Sequence, residues 1–280
     1  MTLSSNQGER KPGLSNWALR VPVLLYVGLM VLVPLIVILQ DGLREGLGEL
    51  VHQISLPIAR HAILLTLWTA ALMTLINAVM GLATAYVLVR YEFPGKQILN
   101  AIVDLPLAIP TLVTGVMLVM LYGPQSALGD FLSSTFNLQV IFAPPGIVVA
   151  LLFISFPFVV RTIQPVLANL DLAQENAAAT LGAKPWTTFC TVVLPNLLPP
   201  LVSGSLLSFS RAIGEFGAVV IVAGNIPFKT QTAAVYVLGA VESENRLGAS
   251  AISLLLIAIA TLVLLAANQI QKAWESRYEN

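Results

Sequence analysis

One cysteine and two histidines are all the thiol and imidazole ligands that 280 residues offer. Cys190 cannot form a disulfide within the chain, nothing near it completes metal-ligand spacing, and it reads as a small, inert filler. His52 and His61 fall in a polar stretch outside the apolar runs, where solvated or interfacial roles account for both. No G-x-x-x-x-G-K-[ST], H-E-x-x-H or G-x-S-x-G pattern occurs, which removes a phosphate cradle, a zinc-binding helix and a nucleophile elbow. Charge is equally scarce. Asp, Glu, Lys and Arg make up 10% of the chain, and 14 basic residues balance 14 acidic ones. That balance leaves no electrostatic footprint for nucleic acid. Catalysis, a metal, another cofactor and a nucleic-acid partner are therefore not expected.

Apolar surface is abundant instead. Hydrophobic residues make up 57% of the chain, and the mean hydropathy is +0.85. Length alone would suggest one or two soluble domains, but runs of eighteen or more apolar residues recur, which is the membrane-span criterion. Six spans are predicted, over residues 21–39, 62–89, 98–122, 147–160, 197–222 and 247–267. The first follows Arg10, Lys11 and Arg20, but its run is too long for a signal peptide and no small-x-small cleavage site follows. The fourth is the shortest, with an extension backwards through Pro144-Pro145 left open. The implied organisation is an N-terminal tail (1–20), a first span with its external loop (21–56), a five-span core (57–270) with a polar loop at 161–196, and a C-terminal tail (271–280).

Six spans put both termini on one side. Arg10, Lys11, Arg20, Arg90, Lys96, Arg161, Lys184, Lys272 and Arg277 fall on the terminal side, against Arg44, Arg60, Lys229 and Arg246 opposite. The positive-inside rule then places the termini and the polar loop in the cytoplasm. Trp17 and Tyr122 stand near span ends, as interfacial anchors in contact with lipid do.

Residues 175–195, ENAAATLGAKPWTTFCTVVLP, form the long polar interruption of the second half. Asn176 to Ala179 favour a helix, and Gly182 stands where a helix end takes a left-handed residue. Pro185 suits the first turn of a new helix, and Pro195 is expected to stop it. Two short helices around a turn make an elbow suited to being gripped by another protein. Trp186 lies in it, either to rest on the membrane surface or to dock into a partner's groove, and the second is preferred.

Three charged residues lie within the apolar runs. Asp104 stands about six residues into the third span, before Pro106 and Pro110, either as an interfacial anchor ahead of a packing kink or as part of a flexible pathway lining. Arg211 and Glu215 are four apart, so on one helix they share a face. Counted from Leu197, Arg211 lies roughly 21 Å along, slightly past the bilayer midplane. Two readings are open. The pair neutralises itself and ties helices together, or Arg211 offers a planar donor fork to a passing oxyanion while Glu215 steadies it. The first is preferred, because a permanently paired arginine has little left for a substrate. Ser203, Gly204, Ser208, Gly214 and Gly217 on the same span suit close helix packing.

A membrane protein of this kind could be a transporter subunit, a channel or a self-driven carrier. An ion-coupled carrier would show an intramembrane acid and inverted repeats. No such repeat is evident, and a self-driven carrier has no need of a gripped elbow. The loop resembles the EAA signature of importer permeases of the ATP-binding-cassette class, through Ala177, Ala178, Gly182, Val192, Leu194 and Pro195. It departs at Asn176, which holds the usual glutamate position, the acid standing one place earlier as Glu175. Residues 104–111 and 208–219 are similar to the sulfate and molybdate permeases, and 223–230 with a complete sixth span resembles the sulfate/thiosulfate permeases of the T (or U) type. The resemblance implies an all-α, six-span permease fold of the MetI-like kind, with cytoplasmic coupling helices, in a bacterial-type inner membrane. It implies that Glu175, Ala177, Ala178, Gly182, Ala183, Pro185, Trp186, Leu194 and Pro195 form a coupling loop. The partners it implies are a homologous second permease, two cytoplasmic ATPase subunits and an external sulfate-binding protein. A molybdate or tungstate permease is the alternative.

Overall fold

Residues 14–278 are described by the computed structural model, and within them every regular element is a helix. Helix α1 (Leu14–Val27), a π-helical turn (Gly28–Leu32) and α2 (Val33–Leu43) run together as a first apolar span. Arg10 and Lys11, and the side chain of Trp17, lie outside the described residues. Helix α3 (Leu47–Ser55) is short and amphipathic, and carries His52. Helix α4 (Pro57–Arg90) opens on a proline at its first position, where the absent N–H has no bond to lose. His61 therefore lies inside α4, not in a polar connection as expected, and its ring meets Phe228 edge-on at 5.9 Å.

Prolines and buried ion pairs account for most of the differences from the predicted spans. The third span is not one helix. Helix α5 (Lys96–Ala108) and α6 (Thr111–Tyr122) meet at an angle of 113°. Ile109 precedes Pro110, whose ring drives it out of the helical region to φ −83° and ψ 129°, so α5 must end. Helix α7 (Ala127–Phe136) follows, capped by Ser126, whose hydroxyl accepts from the N–H of Gly129 at 2.9 Å. The fourth span is 26 residues long, α8 (Pro144–Asn169), and not the shortest. It runs through Arg161 because that charge is paired within the fold.

After α9 (Leu172–Thr180) and α10 (Pro185–Thr188), a second π-helical turn (Phe189–Val193) joins α11 (Leu194–Ile213). Pro195 does not stop this segment, as had been expected. The π turn widens the backbone just before it, with the N–H of Leu194 reaching Phe189 O, and helix continues unbroken over Pro185–Ile213. The fifth span thus begins earlier and ends earlier than residues 197–222. Gly214 closes α11, and residues beyond Phe216 form a separate short helix, α12 (Gly217–Ala223). Helix α13 (Ala233–Glu242) is apolar but too short to register as a span. Helix α14 (Arg246–Tyr278) extends well past residue 267. Among the described residues, five helices can cross a membrane, or six when the bent α5–α6 pair counts as one, in keeping with the six-span reading.

The core lies along α4, α8 and α11. Met73, Leu151 and Ile213 are almost fully enclosed there. Gly204 lets α11 approach α8: a Cβ on it would stand 3.0 Å from the Thr162 Cβ and 3.2 Å from the Val159 Cα. Ser208 Oγ donates to Ser155 O at 3.2 Å across the same contact. The first span is different. None of its apolar window is buried by the chain, and α2 meets α14 around Gly42 and Leu254. Its apolar side chains face outward, as lipid contact requires.

Candidate functional site

The elbow has the backbone geometry its sequence implied. Asp171 caps α9 by accepting from the N–H of Ala173 at 2.9 Å. At the other end Gly182 has φ +83°, its N–H bonding Ala179 O at 2.9 Å while the N–H of Ala183 bonds Ala178 O at 3.0 Å. This pair of bonds is a Schellman ending, which satisfies carbonyls that a helix C-terminus leaves free. A Cβ at Gly182 would meet nothing within 4 Å, so glycine is required there by conformation and not by space. Leu181 beside it is 89% exposed. Ala177 lies along the exposed part of α9, and Pro185 opens α10. Leu194 and Pro195 are half-buried in the continuous helix that follows.

Trp186 is 74% exposed but does not stand at the tip. Its indole stacks on Phe189, with ring centroids 5.6 Å apart. Together with Pro185 it lines a groove against Val79, Leu82 and Tyr86 of α4. Val79 is itself exposed, so this groove opens along the apolar flank of the helix bundle.

Three ion pairs organise the polar interior. At the elbow, Arg90 Nη2 meets Glu175 Oε1 at 2.6 Å, both side chains mostly buried, and also reaches Leu170 O at 3.4 Å. The displaced acid of the loop therefore fastens α9 to the end of α4. Asn176 contributes its carbonyl to the Thr180 hydroxyl.

The second pair joins α5 to α8. Arg161 Nε and Nη2 donate to the two carboxylate oxygens of Asp104 at 2.6 and 2.5 Å. Nη2 also donates to Asn100 O at 2.7 Å, and Nη1 to Asn100 Oδ1 at 2.8 Å and Gln164 Oε1 at 2.5 Å. A guanidinium has five N–H groups, and all five are used. Asp104 had been read as an anchor or a pathway residue, but its partner, 57 positions away, was not anticipated. An unpaired acid and a distant arginine within one apolar set was the available signal.

The third pair sits at the break after α11. Arg211 Nη2 lies 2.7 Å from Glu215 Oε2. The expected shared helix face does not exist, because α11 ends at Ile213 and Glu215 stands in the connection that follows. What brings them together is the turn at Gly214, with Glu215 N–H bonded to Ala212 O at 3.0 Å. The other oxygen, Glu215 Oε1, accepts from Ala218 N–H at 3.0 Å and so caps α12. Of the five small residues read as packing positions, Gly217 sits against Thr111 at the start of α6, whereas Gly214 has open space beside it. The gap after α11 and the gap between α5 and α6 thus adjoin.

Between α4, α5, α6 and α8 lies a cleft of about 820 Å³, apolar except for Asn77, Thr114 and the Thr84 and Tyr122 hydroxyls. Among the described residues, no group of three or more His, Cys, Asp or Glu could hold a metal ion.

Comparison with known proteins bears on the family and the fold. The family model described as "Binding-protein-dependent transport system inner membrane component" matches residues 77–280. The chain is 44% identical over 261 residues to a protein of Nephroselmis olivacea named "Probable sulfate transport system permease protein", covering 93% of this chain and 91% of the relative. It is 40% identical over 254 residues to the sulfate transport system permease protein of Escherichia coli (strain K12), covering 91% of each. Among solved structures, a bacterial ABC transporter importing the acidic polysaccharide alginate superposes with a TM-score of 0.75 at 16% identity, over 92% of this chain and 94% of that one. An inward-facing methionine ABC transporter gives 0.59 at 18% identity, over 78% and 96%. Both of these are likenesses of fold.

Proposed function

The chain belongs to the family of binding-protein-dependent transport system inner membrane components, and from that premise we propose that it is the sulfate-passing permease subunit of an ATP-driven importer. The observation that carries this reading is identity of 40–44% with sulfate permeases along nine-tenths of the chain, breaks and elbow included. As a multi-pass inner membrane permease it performs no hydrolysis; that falls to partner subunits.

In this reading the exposed elbow around Leu181 and Gly182 is the surface an ATPase subunit holds. Ala177, Ala178, Ala183 and Trp186 shape its flanks, and Glu175 fixes it to α4 through Arg90. The apolar cleft faces a second, homologous permease, and the opposite ends of the helices receive an external sulfate-binding protein. A solved alginate transporter in complex with its ligand-bound periplasmic protein supports partners of this kind. Two ATPase subunits closing on ATP would shift the elbow and turn the spans from one access state to the other. Selectivity resides mostly in the binding protein, and the permease needs only a passage weak enough to release a dianion.

Both termini are placed in the cytoplasm. Arg161 leaves the earlier count because it lies within α8, but the remaining terminal-side residues still outnumber Arg44, Arg60, Lys229 and Arg246. With Cys190 replaced, a cysteine at Lys184 should resist membrane-impermeant thiol reagents in intact cells, and one at Lys229 should react. The opposite pattern would invert the topology.

Uptake of labelled sulfate and molybdate by cells lacking this chain tests the substrate. Sulfate uptake should fall and return with the restored chain. Loss confined to molybdate would replace sulfate with the larger oxyanion.

A further inference from the structure

Two arginines lie within the apolar helices, and their hydrogen-bond inventories differ in kind. Arg161 has no donor left. Arg211 has one nitrogen engaged, and among the described residues it makes no other hydrogen bond or ion pair. Its side chain is 35% exposed, whereas that of Glu215 is 2% exposed.

The depth of Arg211 gives that exposure meaning. Ser208 bonds Ser155 near the middle of α8 and lies 3.6 Å from the sulfur of Met73 near the middle of α4. Arg211 is one helical turn beyond Ser208, about 4.5 Å outward from that level. At this depth a guanidinium does not face lipid; it faces another protein chain or a water-filled passage. Gly214, with nothing within 4 Å of where its Cβ would be, leaves room beside it.

The break in the chain fixes the guanidinium. Glu215 is held from two sides, by Arg211 and by the N–H of Ala218, so the carboxylate belongs to the backbone turn as much as to the arginine. Such a carboxylate aims the guanidinium without consuming it.

We infer that Arg211 is the anion-contacting residue of the passage, presenting the guanidinium edge that Glu215 leaves free as a planar fork to a tetrahedral oxyanion while Glu215 acts as its positioning residue. The inference rests on the importer reading above. Glu215 also keeps the site weak. It offsets the arginine's charge, so a dianion is met by directed N–H groups and not by a net positive well, as release requires.

The test uses the whole complex, with its ATPase and binding-protein partners, in proteoliposomes and measures ATP-driven uptake of labelled sulfate. Arg211→Lys keeps the charge opposite Glu215 and removes the fork. The double variant Arg211→Gln with Glu215→Gln removes both charges and leaves no buried acid unpaired. Co-purification of the partner subunits and the melting temperature report assembly. Both variants should assemble, with uptake about tenfold or more below wild type. Uptake within about twofold of wild type in an assembled Arg211→Lys complex overturns the inference, whatever the double variant does. A wild-type complex that moves neither sulfate, thiosulfate nor molybdate defeats the importer reading and this inference with it. An active wild type with equally active variants defeats the arginine alone.

Discussion

Arg161 and Arg211 are both arginines paired with a carboxylate inside a helical membrane protein, yet one pair closes a structure and the other leaves it open. Arg161 spends two donors on Asp104, two on Asn100 and one on Gln164 of its own helix, so four bonds from one side chain join α8 to α5. Arg211 spends one nitrogen on Glu215. The exposure is reversed as well. Asp104 is half exposed and Glu215 is enclosed, so the acid at risk when its arginine is lost is Glu215. An intramembrane arginine is thus not one kind of object: saturation marks a clamp, and unspent donors mark a contact.

That contrast can be broken most directly at Arg211. Arg211→Gln alone strands an enclosed carboxylate and should cost roughly 3–5 kcal/mol, read as a drop in the melting temperature of the purified complex. Should the single change melt like wild type, Glu215 is not an ionised, dependent partner and the distinction collapses. Next in size is a pair of lysine substitutions. Arg161→Lys exchanges a five-donor fork for three donors that cannot match its geometry, a loss of about 1–3 kcal/mol, whereas Arg211→Lys should change stability by less than about 1 kcal/mol. Equal effects on thermal stability would mean the two sites are alike.

Glu175→Gln extends the comparison to the third pair. It turns a charge-assisted bond to Arg90 into a neutral one, which should weaken the anchoring of α9 by about 1 kcal/mol and speed hydrogen exchange in residues 172–180. Unchanged exchange there would show that the elbow does not depend on this bond. An equally small effect on stability is expected at Gly182, where alanine meets no neighbour and only the left-handed φ is strained, by about 1 kcal/mol. Its effect on function should be larger. Co-purified ATPase and sulfate uptake should fall in the order asparagine, alanine, valine, and a valine variant that transports like wild type would make the elbow an ordinary connection.

Apolar runs made the spans legible, and Gly182 with Pro185 made the elbow legible, because both signals are local. The breaks were hidden for the opposite reason. Hydropathy continues straight through Ile109-Pro110 and through Gly214–Phe216, so a window of apolar residues cannot see that the backbone turns there. Glu215 looked like an i+4 partner of Arg211, and the ion pair did form, but through a turn in which Glu215 N–H bonds Ala212 O and its Oε1 accepts from Ala218 N–H. The Arg161 clamp was invisible because its partners, Asn100 and Asp104, lie on another helix. The pairing of Arg90 with Glu175 also needed two distant segments to meet.

The unbroken run from Pro185 to Ile213 has a mechanical consequence. A stop at Pro195 would have placed a hinge between the elbow and the bundle, and a push at one end would have dissipated there. With the π turn carrying the backbone past that proline, Trp186 and Arg211 sit near opposite ends of one continuous helical run, some 37 Å apart along its axis at about 1.5 Å per residue, with Pro199 and Pro200 inside it. A tilt of only about 6° about one end carries the other through about 4 Å, comparable to the length of a hydrogen bond plus the slack needed to break it. If an ATPase holds the elbow and Arg211 meets the anion, as proposed above, the two grips would share one helical run, and each would be read out in the angle of the other.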